Sequence, residues 1–275
     1  MIDAKTRLYG LIGKPVEHSL SPTIHNTLFR KYSINAVYLA FEVNDLESAV
    51  RGVQALGISG LNVTMPYKEQ ILEFLDRLSK EARAIGSVNT VINRGGKFIG
   101  YNTDGIGALK ALKRFTEVEN KNILVLGAGG AGKAIAYTLS SLAKVVVLNR
   151  TERKAKELEK FGVKGEELSK ESLEYYLSWA DAVINATSIG MNEDESPITK
   201  ELLRKNLVVF DIVYSPLETK LIREAREVGC LAIDGLWMLI YQGAESFRLW
   251  TGIKPDVEFI HKVVLEALKG DGQSI

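Results

Sequence analysis

The sequence predicts an α/β fold in two domains. Three observations predict it: the length, the apolar composition, and a steady alternation of short apolar stretches with longer amphipathic ones. At roughly 100–200 residues per domain, a chain of 275 residues corresponds to about two domains. A composition of 46% hydrophobic and 25% charged residues is typical of a globular protein with a hydrophobic core. Strands that alternate with helices form a parallel sheet with helices on both faces.

Charge and cysteine usage exclude several classes of function. Lys and Arg number 35 and Asp and Glu 34, and the resulting charge of +1 argues against non-specific nucleic-acid binding. The single cysteine, Cys230, cannot form an intrachain disulfide, and the histidines show no metal-ligand spacing. We interpret His25 as a helix packing or surface residue. No apolar run approaches the ~20 residues of a membrane span, so we expect a cytoplasmic protein with a small-molecule partner, no membrane and no metal.

The first half of the chain shows apolar periodicities that switch between those of strands and helices. In order, it predicts strand 7–13, helix 21–32, strand 36–43, a helix from 44 or 45, strand 58–64, helix 66–78, a hairpin of VNTVIN and KFIGYN, and helix 103–115. Pro22 suits the first turn of a helix. We predict a first domain over residues 1–115.

The second half begins after the polar stretch 116–122, which is the best boundary candidate. It predicts a strand–turn–helix–strand unit over 122–151, strands at 182–187, 207–213 and 230–234, and helices over 236–250 and 256–268. We predict a second domain over residues 120–235. The C-terminal helices, 236–275, are expected to pack back on the first domain.

A glycine-rich turn opens the second domain. The residues that fit G-x-G-x-x-G are Gly127, Ala128, Gly129, Gly130, Ala131 and Gly132. They follow a predicted buried strand and open a predicted helix, the context that the dinucleotide-binding (Rossmann) fingerprint requires. The glycines let the backbone approach a pyrophosphate, which the helix N-terminus attracts. The alternative, a tight turn with no ligand, is disfavoured by the second strand that follows.

That second strand decides between NAD and NADP. About 20 residues after the first glycine, an NAD enzyme places Asp or Glu on the ribose 2′-hydroxyl. At that place this chain has, in order, Asn149, Arg150, Thr151, Glu152, Arg153 and Lys154. A guanidinium pairs well with the 2′-phosphate of NADP, so we predict NADP as the cofactor. Glu152 is the alternative ribose partner if the loop bends differently.

Three polar clusters of the first domain are hard to explain as packing. They are the segments 18–22 (HSLSP), 62–68 (NVTMPYK), and 87–90 (SVNT) with 102–105 (NTDG). Polar residues near the carboxyl ends of parallel strands point towards the crevice where α/β proteins bind ligands. A helix cap is the alternative for Ser21 and Asp104, and a solvated lysine for Lys68. Together the clusters favour a polyhydroxylated carboxylic acid as the substrate.

Several segments, in combination and order, carry a family resemblance over essentially the full length. They are GLIGKPVEHSLSPTIHN, GLNVTMPYKE, AIGSVNTV, GYNTDGIG, VLGAGGAGKA, NRT, INATSIGM and DGLWMLIYQGAESFRLWTG. The chain resembles the shikimate dehydrogenase family. The resemblance implies a substrate-binding and catalytic first domain, a doubly wound NADP-binding second domain, and usually a homodimer. It implies reversible reduction of 3-dehydroshikimate to shikimate with NADPH, a step of aromatic amino-acid biosynthesis.

The resemblance also implies roles for individual residues. Lys68 would be the catalytic acid/base, paired with Asp104. The substrate-binding residues would be Ser19, Ser21, Asn62, Thr64, Asn89, Asp104, Tyr214 and Gln242. The cofactor-binding residues would be Gly127, Ala128, Gly129, Gly130, Ala131, Asn149, Arg150, Thr151, Lys154, Thr187, Ile212, Gly235 and Met238. Many members of the family have arginine at the position of Lys133, and this difference does not touch the implied chemistry.

Two rival functions remain open from the sequence. The first is a quinate/shikimate dehydrogenase of relaxed specificity. Arg150 favours NADP and therefore disfavours an NAD-linked oxidation of quinate. The second is a non-catalytic NADP-binding regulator. Such a regulator would be expected to lose Lys68 or Asp104, and both are present.

Overall fold

A computed structural model describes residues 2–271, and the chain divides into two compact units. Unit 1 consists of Met1–Thr103 and Gln242–Ile275, and unit 2 is Asp104–Tyr241. The divisions therefore lie at residues 103 and 241, whereas the sequence analysis places them near 115 and 236.

Strands and helices alternate along the chain, as the sequence predicts. The strands are β1 (Arg7–Gly13), β2 (Ala36–Glu42), β3 (Gly60–Val63), β4 (Arg77–Leu78), β5 (Thr90–Arg94), β6 (Lys97–Tyr101), β7 (Asn122–Leu126), β8 (Lys144–Asn149), β9 (Lys164–Glu167), β10 (Ala182–Asn185), β11 (Val208–Asp211) and β12 (Leu231–Ile233). The helices are α1 (Ser21–Lys31), α2 (Leu46–Ala55), α3 (Lys80–Ile85), α4 (Asp104–Phe115), α5 (Gly130–Leu139), α6 (Glu152–Lys156), α7 (Lys170–Trp179), α8 (Lys220–Val228), α9 (Leu236–Thr251) and α10 (Val257–Asp271).

Close packing explains why α4 belongs to unit 2. Gly105 lies so near α5 that a β-carbon on it would collide with Thr138 Oγ1 and the carbonyl oxygen of Ala134. Ala108, Ala111 and other small residues of α4 are also buried. Small side chains let the two helix backbones approach each other, so the first boundary lies before α4 and not after it.

The sheet of unit 1 has six strands in the order β2-β1-β3-β5-β6-β4. β1 lies between β2 and β3 and is parallel to both, so the carboxyl ends of these strands lie at one edge. β5 is antiparallel to β3 and to β6. The short turn between β5 and β6 forces this direction, and Gly95 and Gly96 supply its positive φ angles. The sheet is therefore mixed, and its antiparallel pair β5–β6 is the hairpin that the sequence predicts.

The helix predicted over residues 66–78 is wrong. Residues 66–69 form turns, Gln70–Phe74 forms a 3-10 helix, and β4 follows. Ile71 is buried and the leucines and Phe74 of the stretch are partly buried, but Asp76 is hydrogen-bonded to β6. Its backbone N donates to Phe98 O at 2.9 Å, and its side chain accepts from Phe98 N at 2.7 Å. Lys68 therefore lies in a turn and not on a helix.

Aromatic rings fasten the second half of α9 to unit 1. Trp250 lies 5.0 Å from the ring of Tyr9, and its Nε1 donates to Val91 O at 3.0 Å. Phe247 is fully buried and lies 5.6 Å from the ring of Phe29 on α1. Ring pairs at these distances add to the stability from area burial. The second half of α9 thus packs on the N-terminal sheet and α10 contacts α1, so both return to the first domain as the sequence predicts.

The sheet of unit 2 is doubly wound. Its order is β12-β11-β10-β7-β8-β9, and every pair is parallel. The chain goes from β7 to β8 on one side and from β10 to β11 on the other, so the strand order reverses between β7 and β10. Ligands of such sheets bind outside the carboxyl ends of the strands at the reversal.

Among residues 2–271, no helix combines the length and apolarity that crossing a membrane requires. The same residues hold no cluster of three or more His, Cys, Asp or Glu side chains suited to a metal ion. Cys230 is a buried free thiol that donates to Arg204 O at 3.2 Å, and burial raises its pKa.

Candidate active site

Asn62 is the centre of a buried polar cluster in unit 1. It lies on β3, only 6% exposed, and its Oδ1 accepts from Tyr38 Oη at 2.8 Å. Its Nδ2 lies 3.2 Å from Thr90 Oγ1 and 3.1 Å from Ser246 Oγ. The antiparallel pairing of β3 with β5 places Asn62 opposite Thr90. Because these partners are all protein atoms, the amide of Asn62 is held in one orientation.

Asn89, directly before β5, forms the second half of this polar cluster. It is 3% exposed, and its Oδ1 accepts from Thr103 N at 2.8 Å and from Thr90 Oγ1 at 2.9 Å. Its Nδ2 donates to Thr103 Oγ1 at 2.9 Å and lies 3.4 Å from Gln242 Oε1. Ser246 Oγ donates to Gln242 O at 3.0 Å and so joins α9 to the cluster.

His25 packs beneath the polar cluster. Its ring is buried and stacks on Tyr38 with a centroid distance of 4.5 Å. Burial lowers the pKa of His25 to about 3, and a hydrogen bond with Asn62 acts in the opposite direction. The imidazole is therefore neutral at physiological pH. His25 is a packing residue, the first of the two alternatives in the sequence analysis.

Ser19 lies between β1 and α1, and Ser21 is the first residue of α1. Leu20 is the N-cap residue of α1, and no side chain caps the helix. Ser21 N donates to Ser19 Oγ at 3.3 Å. The capping alternative for Ser21 is therefore wrong, and both hydroxyls flank a helix N-terminus. The partial positive charge there favours a carboxylate.

Thr64 and Lys68 follow β3 at the same edge of the sheet. Both side chains are half-buried. The backbone around Lys68 is fixed at two points: Val88 N donates to Lys68 O at 2.8 Å, and Tyr67 Oη donates to Val43 O at 2.7 Å. The turn therefore holds the Cα of Lys68 in place, although it lacks a regular helix.

Two of the predicted substrate and catalytic residues lie in unit 2. Asp104 is the first residue of α4 and is buried, and Tyr214 is half-buried in the loop after β11. The close packing of Gly105 on α5 fixes the backbone that carries Asp104. The predicted residues are thus distributed over both units.

The glycine-rich turn leaves the N-terminus of α5 accessible. Gly127 has φ +102, and a β-carbon on it would lie 2.9 Å from Ala186 O. Gly132 packs directly on the carbonyl group of Gly127. Gly129, by contrast, is exposed, has no heavy atom within 4 Å of a β-carbon position, and starts a helix that no side chain caps. An anion can therefore approach the free N–H groups of α5.

We expect opposite outcomes for alanine at Gly129 and at Gly132, the second and third glycines of the G-x-G-x-x-G motif. Gly129→Ala meets no protein atom, so the variant should melt like the wild type. Its methyl group would occupy the approach to the pyrophosphate and weaken dinucleotide binding about tenfold. Gly132→Ala should lower the free energy of unfolding by about 1–3 kcal/mol, because its β-carbon collides with backbone. Thermal melts and cofactor titrations of both variants measure these effects. Equal decreases in melting temperature would contradict the different roles assigned to the two glycines.

Asn149 ties the glycine-rich turn to the end of β8. Its Oδ1 accepts from Ala128 N at 3.1 Å, and its Nδ2 donates to Thr151 O at 3.0 Å. Because its amide accepts on one side and donates on the other, Asn149 connects the glycine-rich turn to the loop after β8. Asn149 therefore shapes the site through the protein backbone.

Arg150 and Lys154 lie just beyond β8. Both are exposed, and neither forms an ion pair with any residue that the structure describes. Glu152, the alternative ribose partner, pairs with Lys156 at 2.8 Å along α6. Two available cations and an engaged carboxylate fit the 2′-phosphate of NADP better than a free ribose 2′-hydroxyl.

Comparison with known proteins decides the family. Family models match residues 11–91 (shikimate dehydrogenase substrate binding domain), 109–237 (shikimate/quinate 5-dehydrogenase) and 235–265 (shikimate 5′-dehydrogenase C-terminal domain). A relative from Pyrococcus abyssi named shikimate dehydrogenase (NADP(+)) is 66% identical over 95% of this chain and 98% of its own. The chain belongs to the shikimate dehydrogenase family.

Solved structures of shikimate dehydrogenases share the fold. One in complex with NADP+ is 44% identical, covers 97% of both chains and has a TM-score of 0.91. The enzyme from Thermus thermophilus, in complex with NADP(H) and shikimate, is 37% identical, with 95% of this chain and 100% of that chain covered and a TM-score of 0.87. These scores confirm the predicted two-domain α/β architecture.

The remaining predicted cofactor residues of this family member lie beyond β10, β11 and β12. Thr187 and Ile212 are half-buried in the loops after β10 and β11, and Met238 is buried on α9. Gly235 lies so close to the loop after β11 that a β-carbon would come within 2.5 Å of Val213 O. Gly235 is thus required by protein packing, whatever its contact with a cofactor.

Sequence reasoning gave no individual role to three members of the polar cluster, although two of them lie in polar segments that it singled out. Thr90, Thr103 and Ser246 are buried hydroxyls that bond to Asn62 or Asn89. A signal existed for Ser246, which follows Gln242 by four residues and so shares its helix face. Thr90 and Thr103 lie within segments quoted for the family, but short polar residues there are equally typical of turns.

Proposed function

We propose that this chain catalyses the reversible reduction of 3-dehydroshikimate to shikimate with NADPH. Its membership of the shikimate dehydrogenase family supports the reaction, and the cations after β8 support the cofactor. The reaction serves aromatic amino-acid biosynthesis. The single observation that carries the proposal is the buried amide and hydroxyl cluster around Asn62 and Asn89. A fold stabilised by apolar packing has no need of so many buried polar groups in one place.

The polar residues of unit 1 would bind the substrate. Ser19 and Ser21, at the N-terminus of α1, suit its carboxylate, and Thr64 adds a further hydroxyl. Asn89 and Gln242 would contact the ring hydroxyls, and Asn62 would join or support them from within the cluster. Tyr214 and Asp104 of unit 2 complete the proposed set. Buried polar groups discriminate strongly against analogues that leave them unpaired.

Lys68 would move the proton of the reaction. When bound, NADPH supplies the hydride that reduces the C3 carbonyl carbon. As the carbonyl oxygen gains charge, the Lys68 ammonium donates a proton to it, and shikimate carries the resulting hydroxyl. Asp104 would orient Lys68 and a substrate hydroxyl. In the oxidative direction the neutral Lys68 amine takes the proton back.

The cofactor would be held entirely by unit 2. The N-terminus of α5 would receive the pyrophosphate, at Gly127, Ala128, Gly129, Gly130 and Ala131. Arg150 and Lys154 would bind the 2′-phosphate, with Asn149 and Thr151 forming the loop that presents them. Thr187, Ile212, Gly235 and Met238 would surround the nicotinamide and its ribose.

An absorbance assay at the nicotinamide band tests this function directly. Purified protein with shikimate and NADP+ should generate NADPH, whereas quinate or NAD+ in place of either should give far lower rates. Comparable rates with quinate would favour the enzyme of relaxed specificity. A protein that binds NADPH but shows no turnover with either acid would be the non-catalytic regulator.

The proposal includes a homodimer, as the family resemblance implies, and a cytoplasmic location, as the sequence composition predicts. The free thiol of Cys230 is compatible with a reducing compartment. Sedimentation velocity of the purified protein over a concentration series tests the dimer. A single species with the mass of one chain at every concentration would contradict it.

A further inference from the structure

Asp211 is a buried carboxylate of unit 2 that no role proposed above uses. It is the last residue of β11 and has no solvent exposure. Burial raises the pKa of Asp211 to about 6, while its hydrogen-bond donors act in the opposite direction. Within residues 2–271 no cation pairs with it. Burying a carboxylate costs folding free energy unless hydrogen-bond donors satisfy it. The donors around Asp211 therefore indicate what the carboxylate does.

Three donors converge on the Asp211 carboxylate. Oδ1 accepts from Asn185 Nδ2 at 2.9 Å and from Val213 N at 3.1 Å, and Oδ2 accepts from Thr219 Oγ1 at 2.7 Å. Thr219 in turn caps α8, since its Oγ1 accepts from Ile222 N at 3.3 Å. One carboxylate therefore fastens both ends of the loop between β11 and α8.

Asn185 extends this network into the loop after β10. The residue is fully buried, and its Oδ1 accepts from Thr187 N at 3.1 Å and from Thr187 Oγ1 at 2.6 Å. Its Nδ2 is shared between Asp211 Oδ1 and Ile189 O, which lies at 3.2 Å. Ile189 N donates back to Thr187 Oγ1 at 3.1 Å. The loop that bears Thr187 thus folds around a side chain that Asp211 holds.

Both fastened loops line the edge where the strand order reverses. Thr187 Cγ2 would lie 3.0 Å from a β-carbon on Gly127, so the loop after β10 touches the glycine-rich turn. On the other side, Gly235 packs on the backbone of Ile212 and Val213. The Asp211 network therefore joins two loops: the loop after β10, which touches the glycine-rich turn, and the loop after β11, which touches Gly235.

We infer that Asp211 is a positioning residue for the nicotinamide half of the cofactor, because it holds Thr187 and Ile212 in place by joining the loops after β10 and β11. The inference rests on the proposed function, which assigns those two residues to the nicotinamide end. A carboxylate suits the task because it accepts from all three donors and has no donor of its own.

Binding of two ligands separates this role from a general loss of stability. Asp211→Ala should weaken NADPH binding about tenfold, since the loss of charge-assisted hydrogen bonds frees both loops. Adenosine 2′,5′-bisphosphate, which lacks the nicotinamide half, should bind as to the wild type. Asp211→Asn should stay near the wild type, because its Oδ1 keeps two donors and its Nδ2 can donate to Thr219 Oγ1. Calorimetric titration measures every affinity without turnover.

Asp181→Ala is the matched control for a lost aspartate. Asp181 also accepts a backbone hydrogen bond, from Asn122 N at 2.8 Å. It lies at the amino ends of the strands of the same sheet, away from the loops that Asp211 joins. If Asp211→Ala weakens NADPH binding no more than Asp181→Ala, or weakens both ligands equally, the inference is overturned.

Thr219→Val keeps the test decisive if Asp211→Ala does not fold. This variant removes the Oδ2 donor, together with the hydroxyl that caps α8, and should weaken NADPH binding about threefold, with the bisphosphate unaffected. Unchanged NADPH binding would overturn the inference. A wild-type protein that binds neither ligand would contradict the proposed function itself, and the inference with it.

Discussion

Lys68→Ala should lower kcat by about 10²–10⁴-fold while the dissociation constant of shikimate changes far less. The variant loses the proposed proton donor for the carbonyl oxygen, but Ser19, Ser21 and the polar cluster around Asn89 are untouched. Steady-state rates and a separate shikimate titration in the presence of NADP+ measure the two effects. An unchanged kcat would show that Lys68 is not the acid.

Two further variants define what Lys68 contributes. Lys68→Arg keeps a cation of similar reach, but a guanidinium does not release its proton at the pH of the assay. Most of the loss should therefore persist. Lys80→Ala, at the exposed start of α3 in the same unit, should leave kcat unchanged. Full activity of Lys68→Arg would indicate that positive charge alone is needed.

Arg150→Ala should raise the Michaelis constant for NADPH by about 10–100-fold, the range for a lost hydrogen bond to a charged group. The Michaelis constants for 3-dehydroshikimate and for NADH should change little, because neither molecule carries a 2′-phosphate. The preference for NADPH over NADH therefore falls. Initial rates with both reduced cofactors measure this directly.

Arg153→Ala is the matched control for Arg150. Arg153 is an exposed arginine three residues further on, and it pairs with Glu157 at 3.7 Å along α6. Its replacement makes the same change in net charge, but it should leave the NADPH constant unchanged. Equal effects of the two variants would show that general electrostatic attraction accounts for the result and would defeat the 2′-phosphate assignment.

Local patterns predicted most elements, and the failures share a cause. The strand at Ile123–Leu126 and the helix after Gly129 follow from an apolar run and a glycine-rich turn, which act over a few residues. The segment 66–78 has helical apolar spacing, but pairing of its end with β6 overrides that preference. Such pairing depends on a strand about 20 residues away, which periodicity does not report.

The site shows the same division between local and distant causes. The role proposed for Arg150 comes from the sequence, because it rests on the place of this residue after the second strand of the fingerprint. Asn62, Thr90 and Ser246 meet only because β3 pairs with β5 and α9 packs on that sheet. The capping alternative for Ser21 was likewise decided by the backbone conformation at Leu20.

The sequence by itself determined the alternating α/β architecture, the glycine-rich turn and the cations that follow β8. All three depend on residues that are neighbours along the chain, where periodicity and turn chemistry act. Only the tertiary structure decided that α4 belongs to unit 2, that His25 is a neutral packing residue, and that Asp211 joins two loops. Each of these depends on groups from different strands and helices, because burial and hydrogen bonding are set by what packing brings together.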